Sequence, residues 1–196
     1  MSTIPVSSTP PAAAPGAAPA PTLWDTAALA RFSQPGCDIL LLPWDRPPGC
    51  AEQLAGARVE SVHTQLTAAN ALARVTAALG ELGIDSLAVA ADMAELARAF
   101  LAQFGQAQCN ARVEVVNQRM CPKFHCDHLH VRLIATYHGP TTEYVRTEDP
   151  QTVQTAPPGT LVLLKGRCHP TFSDSVHHRS PGVPAGQRRL CLVLDY

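Results

Sequence analysis

Through the first half of the chain, apolar residues return every three or four positions. Leu72, Val75, Leu79 and Leu82 form one such stripe, and Gly83 supplies a stop after it. Met93, Leu96, Phe100 and Phe104 form a second, with Asp85 or Ser86 placed to cap its start. Stripes of this kind face a core. Residues 38–43, an apolar run closed by Pro43, read as one buried strand. The expectation for about 23–106 is a mainly helical half.

The pattern changes near Ala111. Residues 112–116, 131–137, 160–164 and 189–194 are short runs rich in β-branched residues. Turns such as His138–Gly139–Pro140 and Pro157–Pro158–Gly159 separate them. Helices followed by strands, without βαβ alternation, predict an α+β domain whose half at about 110–196 is a mainly antiparallel sheet or barrel. No internal repeat is visible.

Composition alters this picture at one end. Residues 1–22 are dominated by Pro, Ala, Ser and Thr, and Pro5, Pro10, Pro11, Pro15, Pro19 and Pro21 forbid a regular helix. They are expected to form a disordered tail, leaving 23–196 as a single domain. With 46% apolar and 16% charged residues the remainder should be globular, and a net charge of −1 provides no basic stripe for nucleic acid. No apolar run approaches the roughly 20 residues of a membrane-spanning helix. The first residues lack the basic and apolar segments of a secretory signal. The seven cysteines are odd in number, scattered and without C-x-x-C spacing, against both a disulfide framework and a zinc ribbon. Reduced thiols and a cytoplasmic location are the simpler reading.

Candidate chemistry lies in the β-rich half. Seven of the eight histidines are there: His125, His128, His130, His138, His169, His177 and His178. Within Phe124–His125–Cys126–Asp127, residues two apart on a strand share a face, so His125 and Asp127 can present an imidazole and a carboxylate to one ion. A histidine near His178 would complete a two-His, one-carboxylate face that leaves coordination positions open, as in non-haem Fe(II) oxygenases. Arg189, eleven residues beyond His178, could pair with the distal carboxylate of a keto-acid co-substrate. His177 and His178 face opposite ways on a strand, so at most one joins the triad, and Arg188 and Arg189 pose the same choice. Arg132 is a further candidate anchor, unless it forms a salt bridge with Glu143. Cys126 alternates with the two ligands and should point away from their metal, whereas a thiolate from Cys121 or Cys126 would steer the site toward Zn(II). Thr142, Glu143 and Tyr137 are candidates to line the cavity or support the ligands.

The order H-x-D, distant His, then Arg about ten residues on is similar to the 2-oxoglutarate/Fe(II)-dependent dioxygenases. That resemblance implies helices packed on a double-stranded β-helix, or jelly roll, of mainly antiparallel strands. It also implies Fe(II) and 2-oxoglutarate as cofactors and an unidentified small-molecule substrate. More closely, CPKFHCD, RLIATYHGPTTEY, LLKG and HHRSP followed by RRLCLVLDY resemble an uncharacterised bacterial domain family often encoded near CobW-like zinc metallochaperone GTPases. The HRSP match favours His178 over His177, and the spacing favours Arg189 over Arg188. Thr141, Cys126 and His130 depart from that family's pattern, the last two as extra candidate ligands. The alternative that follows is a zinc-binding protein of metal homeostasis, partnered with such a GTPase and using the same site. Walker-type, dinucleotide-binding, H-E-x-x-H and G-x-S-x-G motifs are missing.

Overall fold

The computed structural model of the chain describes residues 24–196, so the tail expected over 1–22 lies outside the described residues. Its largest sheet explains the apolar runs. β1 (Ile39–Pro43), β2 (Glu60–Leu66), β3 (Cys109–Val116), β4 (Val131–His138), β7 (Thr160–Lys165) and β9 (Arg189–Asp195) form six strands in the order β1-β7-β4-β9-β3-β2. Every pairing is antiparallel. Both faces of the central strands are covered, so they read as continuous apolar runs and not as an alternation.

Two different layers cover those faces. Leu133, Ala135 and Tyr137 of β4 and Leu190, Leu192 and Leu194 of β9 face the helices, in one large apolar cluster. Ile134, Cys191, Val193, Val162 and Leu164 point the other way, into a smaller cluster with Tyr144 and Val176. Those two partners belong to a second sheet, ordered β6-β5-β8, made of β5 (Glu143–Arg146), β6 (Asp149–Thr155) and β8 (Val176–Arg179). From β4 onward the chain passes between the sheets, giving the jelly-roll, double-stranded β-helix arrangement behind a layer of helices.

The helices are α1 (Thr26–Phe32), α2 (Cys50–Leu54), α3 (Ala71–Glu81) and α4 (Leu87–Gln103). α3 ends as its sequence predicts. Gly83 takes φ 76°, and the N–H groups of Ile84 and Gly83 donate to Leu79 O and Gly80 O at 2.8 and 3.0 Å. Ser86 caps α4, its Oγ accepting from Val89 N at 3.3 Å. Leu72, read as part of the α3 stripe, is 43% exposed; Ala71 and Ala78 face the core beside Val75 and Leu79. Among the described residues no helix is long and apolar enough to cross a membrane.

The half expected to be mainly helical contributes two strands to the large sheet. One is the predicted run; the other, β2, went unrecognised because ESVHTQL has almost no apolar residue until Leu66. As an edge strand it needs only one hydrogen-bonded neighbour, β3, and no buried apolar face. β5, β6 and β8 were missed for the same reason: they are short or polar strands of a small sheet.

Phe100 is fully buried and packs edge-on against Phe104 and Tyr196, at ring separations of 5.1 and 5.7 Å. Truncating it opens a cavity between α4 and the end of β9. Phe100→Ala should destabilise the protein by about 3–5 kcal/mol, measured by chemical denaturation; a loss under about 1 kcal/mol would mean this cluster does not hold the helices to the sheet.

Candidate metal centre

The second face of the large sheet turns from apolar to polar toward its β3–β2 edge. β2 presents Ser61 and His63 there, β3 Arg112 and Glu114, β9 Arg189, and β4 Arg132; strict alternation puts them on one side. Opposite them, in the small sheet, β8 carries His178. The connection from β3 to β4 closes the gap. His125 and His178 exchange backbone hydrogen bonds, N to O in each direction at 3.0 Å, as an isolated antiparallel bridge. Asp127 O accepts from Arg167 N at 2.8 Å, and Leu129 O accepts from Cys168 N at 3.0 Å.

The result brings together His125, Asp127 and His178, with ligand atoms all within 4.8 Å of one another. His125 Nε2 lies 3.6 Å from Asp127 Oδ1, and His178 Nε2 lies 3.2 Å from Asp127 Oδ2. His125 and Asp127 are brought together in an irregular segment and not on a strand, its main chain bridged to β8 at His125. His178 is the histidine that turns inward, at 5% exposure, while His177 points away.

Neighbouring groups prepare these side chains for a cation. His125 Nδ1 is 2.9 Å from Lys123 O, which fixes the proton on that nitrogen and leaves Nε2 with its lone pair. Burial lowers the pKa of the His178 ring against the opposing pull of Asp127, favouring the neutral, ligating form. Burial also works against ionisation of Asp127, but His178 and Arg132 outweigh it and bring the carboxyl down to about 2. Arg132 grips Asp195 with two hydrogen bonds, at 2.6 and 2.8 Å, and places Nη1 2.7 Å from Asp127 Oδ2. That oxygen is buried and receives no properly aligned hydrogen bond. Two imidazole nitrogens and an under-satisfied carboxylate oxygen suit a divalent transition metal.

Arg132 is therefore not paired with Glu143. Arg119 and Arg179 hold Glu143, at 3.0 and 2.6 Å. Arg188, the alternative anchor, points away from the site and donates to the carbonyls of Leu54 and Ala57, tying the start of β9 to α2. Arg189 faces inward, 3% exposed, with Nε donating to Pro140 O at 2.9 Å and Nη2 to Thr136 Oγ1 at 3.2 Å. The turn that aligns it needs Gly139, whose φ is 86° and where a Cβ would come within 2.9 Å of the Arg189 Cα.

Between the triad and Arg189 lies an inner cavity of about 60 Å³, lined in part by Arg132, Ile134, Thr142, Arg179 and Val193. It adjoins an outer one of about 380 Å³, lined by Ser61, His63, Arg112 and Met120 as well as the triad's His125 and Asp127. Thr142 lines the inner cavity as one of the residues marked from sequence, its buried Oγ1 lacking a partner. Tyr137 lies on the helix side of β4 instead, bonded to Asp92 at 2.6 Å.

Arg112 and Glu114 join the site without declaring themselves by residue type, whereas Cys121 is a candidate ligand from its sequence. Glu114 is buried between Arg112 Nε at 2.7 Å and Arg189 Nη1 at 3.5 Å, and accepts from Cys191 Sγ at 3.1 Å. A single Glu in an RVEVV strand reads as surface alternation; only a partner strand carrying Arg189 shows it to be internal. Cys121 Sγ sits 3.6 Å from His125 Nδ1, beside the triad and outside the set of mutually close ligand atoms.

A jelly roll with a His-x-Asp and distant-His triad, beside a cavity rich in arginine, is the class of protein that this fold and site define. The chain belongs to the DUF1826 family, described as a protein of unknown function, which matches residues 24–195. No curated protein matches it. In structure it is similar to a dioxygenase for auxin oxidation from rice, at TM-score 0.42 and 18% identity, covering 77% of this chain and 64% of that one. It is similar to an oxidoreductase of the 2OG-Fe(II) oxygenase family from Burkholderia pseudomallei, at TM-score 0.41 and 13% identity, covering 86% of this chain and 88% of that one. A prolyl-4-hydroxylase of Pseudomonas putida gives 0.42 and 13%, covering 86% of this chain and 96% of that one.

Gly166 tests how the ligand segment is held. A Cβ there would collide with Leu129 O and come within 2.9 Å of Asp127 O, both backbone atoms. Gly166→Ala should cost about 1–3 kcal/mol of stability and weaken Co(II) binding at the triad at least about tenfold, read by chelator competition. Lower stability with unchanged affinity would show that this turn does not position Asp127.

Proposed function

We propose that the protein is an Fe(II)- and 2-oxoglutarate-dependent oxygenase acting on a small molecule. One observation carries the reading. Two sequence-distant segments converge His125, Asp127 and His178 beside an arginine-lined cavity that ends on the buried Arg189. Fe(II) would be held by the two imidazoles and the Asp127 carboxylate, and with 2-oxoglutarate it supplies the activation of dioxygen for C–H oxidation. Arg189 would anchor the distal carboxylate of the keto acid by charge-assisted hydrogen bonds, and Thr142 offers it an unused hydroxyl. Arg132, on the cavity wall, holds Asp127 in place through Oδ2. Ile134 and Val193 form the dry part of the inner wall. The outer cavity, at about 380 Å³, is of a size for a small-molecule substrate.

Anaerobic titration of the metal-free protein with Fe(II) and then 2-oxoglutarate should produce a visible metal-to-ligand charge-transfer band. The band needs both additions and should vanish in His178→Ala. Arg189→Ala should weaken 2-oxoglutarate more than tenfold, from the loss of about 2–5 kcal/mol, while leaving Fe(II) affinity unchanged. Absence of the band in protein that retains Fe(II) would overturn the oxygenase reading.

Zinc homeostasis is the second reading, and the Cys121 thiol beside His125 speaks for it. In that case Zn(II) would take the triad with Cys121 as a fourth ligand, delivered by a metallochaperone GTPase. Iron with negligible zinc in protein purified from zinc-replete cells would count against it.

A further inference from the structure

The two segments that build the triad also have an outward side. Along 125–127 and along β8, the residues between and beside the ligands are Cys126 and His177, and both turn away from the first site. They meet Asp174 there. Cys126 Sγ lies 3.5 Å from Asp174 Oδ1, and His177 Nε2 lies 3.0 Å from the same oxygen. All three ligand atoms fall within 4.8 Å of one another. A tetrahedral zinc site with metal–sulfur bonds of about 2.3 Å and metal–nitrogen or –oxygen bonds of about 2.0 Å has sulfur–oxygen edges of about 3.5 Å and nitrogen–oxygen edges of about 3.3 Å. Two of the three edges are thus already close to those lengths, and only the sulfur–nitrogen edge remains to be set by the rotamers of partly exposed side chains.

We propose that Cys126, Asp174 and His177 form a second metal site, for Zn(II) or a similar borderline ion, back to back with the triad. One thiolate, one imidazole and one carboxylate make a donor set for zinc and leave the fourth position to water. His177 and Asp174 are 31% and 57% exposed at the side chain, so an ion can enter from solvent. Cys126 Sγ now donates to Val176 O at 3.2 Å; on binding, a sulfur–metal bond replaces the S–H bond and one proton leaves to solvent. The proposal stands apart from the oxygenase reading, because it uses none of the triad's side chains. It also gives Cys126 and His177 a purpose that alternation alone denies them.

Cobalt(II) separates the two sites by spectroscopy. The reduced full-length protein, titrated anaerobically, should bind two equivalents, and only one should carry a near-ultraviolet thiolate-to-cobalt charge-transfer band. Cys126→Ser should abolish the band and one equivalent while keeping the other. His177→Ala, at a partly exposed position, should weaken the band-bearing equivalent at least about tenfold and serves should the serine variant misfold. His178→Ala should leave the band intact, so failure of the triad and failure of this site are told apart. A protein with no thiolate band, or one whose band survives Cys126→Ser and disappears in Cys121→Ser, overturns the proposal.

Discussion

Two backbone hydrogen bonds between His125 and His178 join the parts of this molecule that matter chemically. They tie an irregular segment, which has no sheet of its own, to the short strand β8 of the small sheet. Because a bridged pair of residues lies side by side, the bond that fixes the backbone also brings the two imidazoles to a ring separation of 4.6 Å. Asp127 then needs only to be aimed. That is achieved by its own carbonyl bond to Arg167 N and by the Arg132 guanidinium held on Asp195. The site is thus built from main-chain hydrogen bonds and one partly buried ion-pair chain.

The same sheet face pays for this polarity. Glu114 and Arg189 are each at most 4% exposed, and an unpaired charge at such depth would be costly. Each charge meets a partner: Glu114 lies between Arg112 and Arg189, and Glu143 between Arg119 and Arg179. Arg112, Arg132, Arg179 and Arg189 line the inner cavity, each held by a carboxylate: Glu114 for the first and last, Asp127 and Asp195 for Arg132, and Glu143 for Arg179. A ligand entering there would meet the guanidiniums of Arg179 and Arg189, walls of Ile134 and Val193, and an unpartnered Thr142 hydroxyl.

Much of this was legible in the sequence, and the reasons are specific. α3, α4 and the runs of β1, β4, β7 and β9 declare themselves because each buries a continuous apolar surface. The H-x-D spacing points to His125 and Asp127, whereas His178 over His177 and Arg189 over Arg188 follow only from the family resemblance, because parity is defined relative to a sheet that one sequence does not show. β2, β5, β6 and β8 were not legible, since an edge strand or a small sheet facing a polar cavity carries no hydrophobic alternation. The partners of charged residues were equally hidden. The sequence leaves an Arg132–Glu143 salt bridge open, yet strand register places Arg132 beside Asp195 and Glu143 beside Arg179. Pairing of charges is a property of register, and a single sequence does not state it.

On this account, one metal takes its protein ligands from His125, Asp127 and His178 and from nothing else. X-ray absorption at the iron edge, on protein loaded anaerobically with a single equivalent of Fe(II), addresses it directly. The predicted result is a first shell of nitrogen and oxygen alone, with outer scattering from two imidazole rings that falls to one in His178→Ala. A sulfur scatterer in the first shell at about 2.3 Å that persists in Cys126→Ser would place Cys121 on the metal, and would contradict an open three-residue centre.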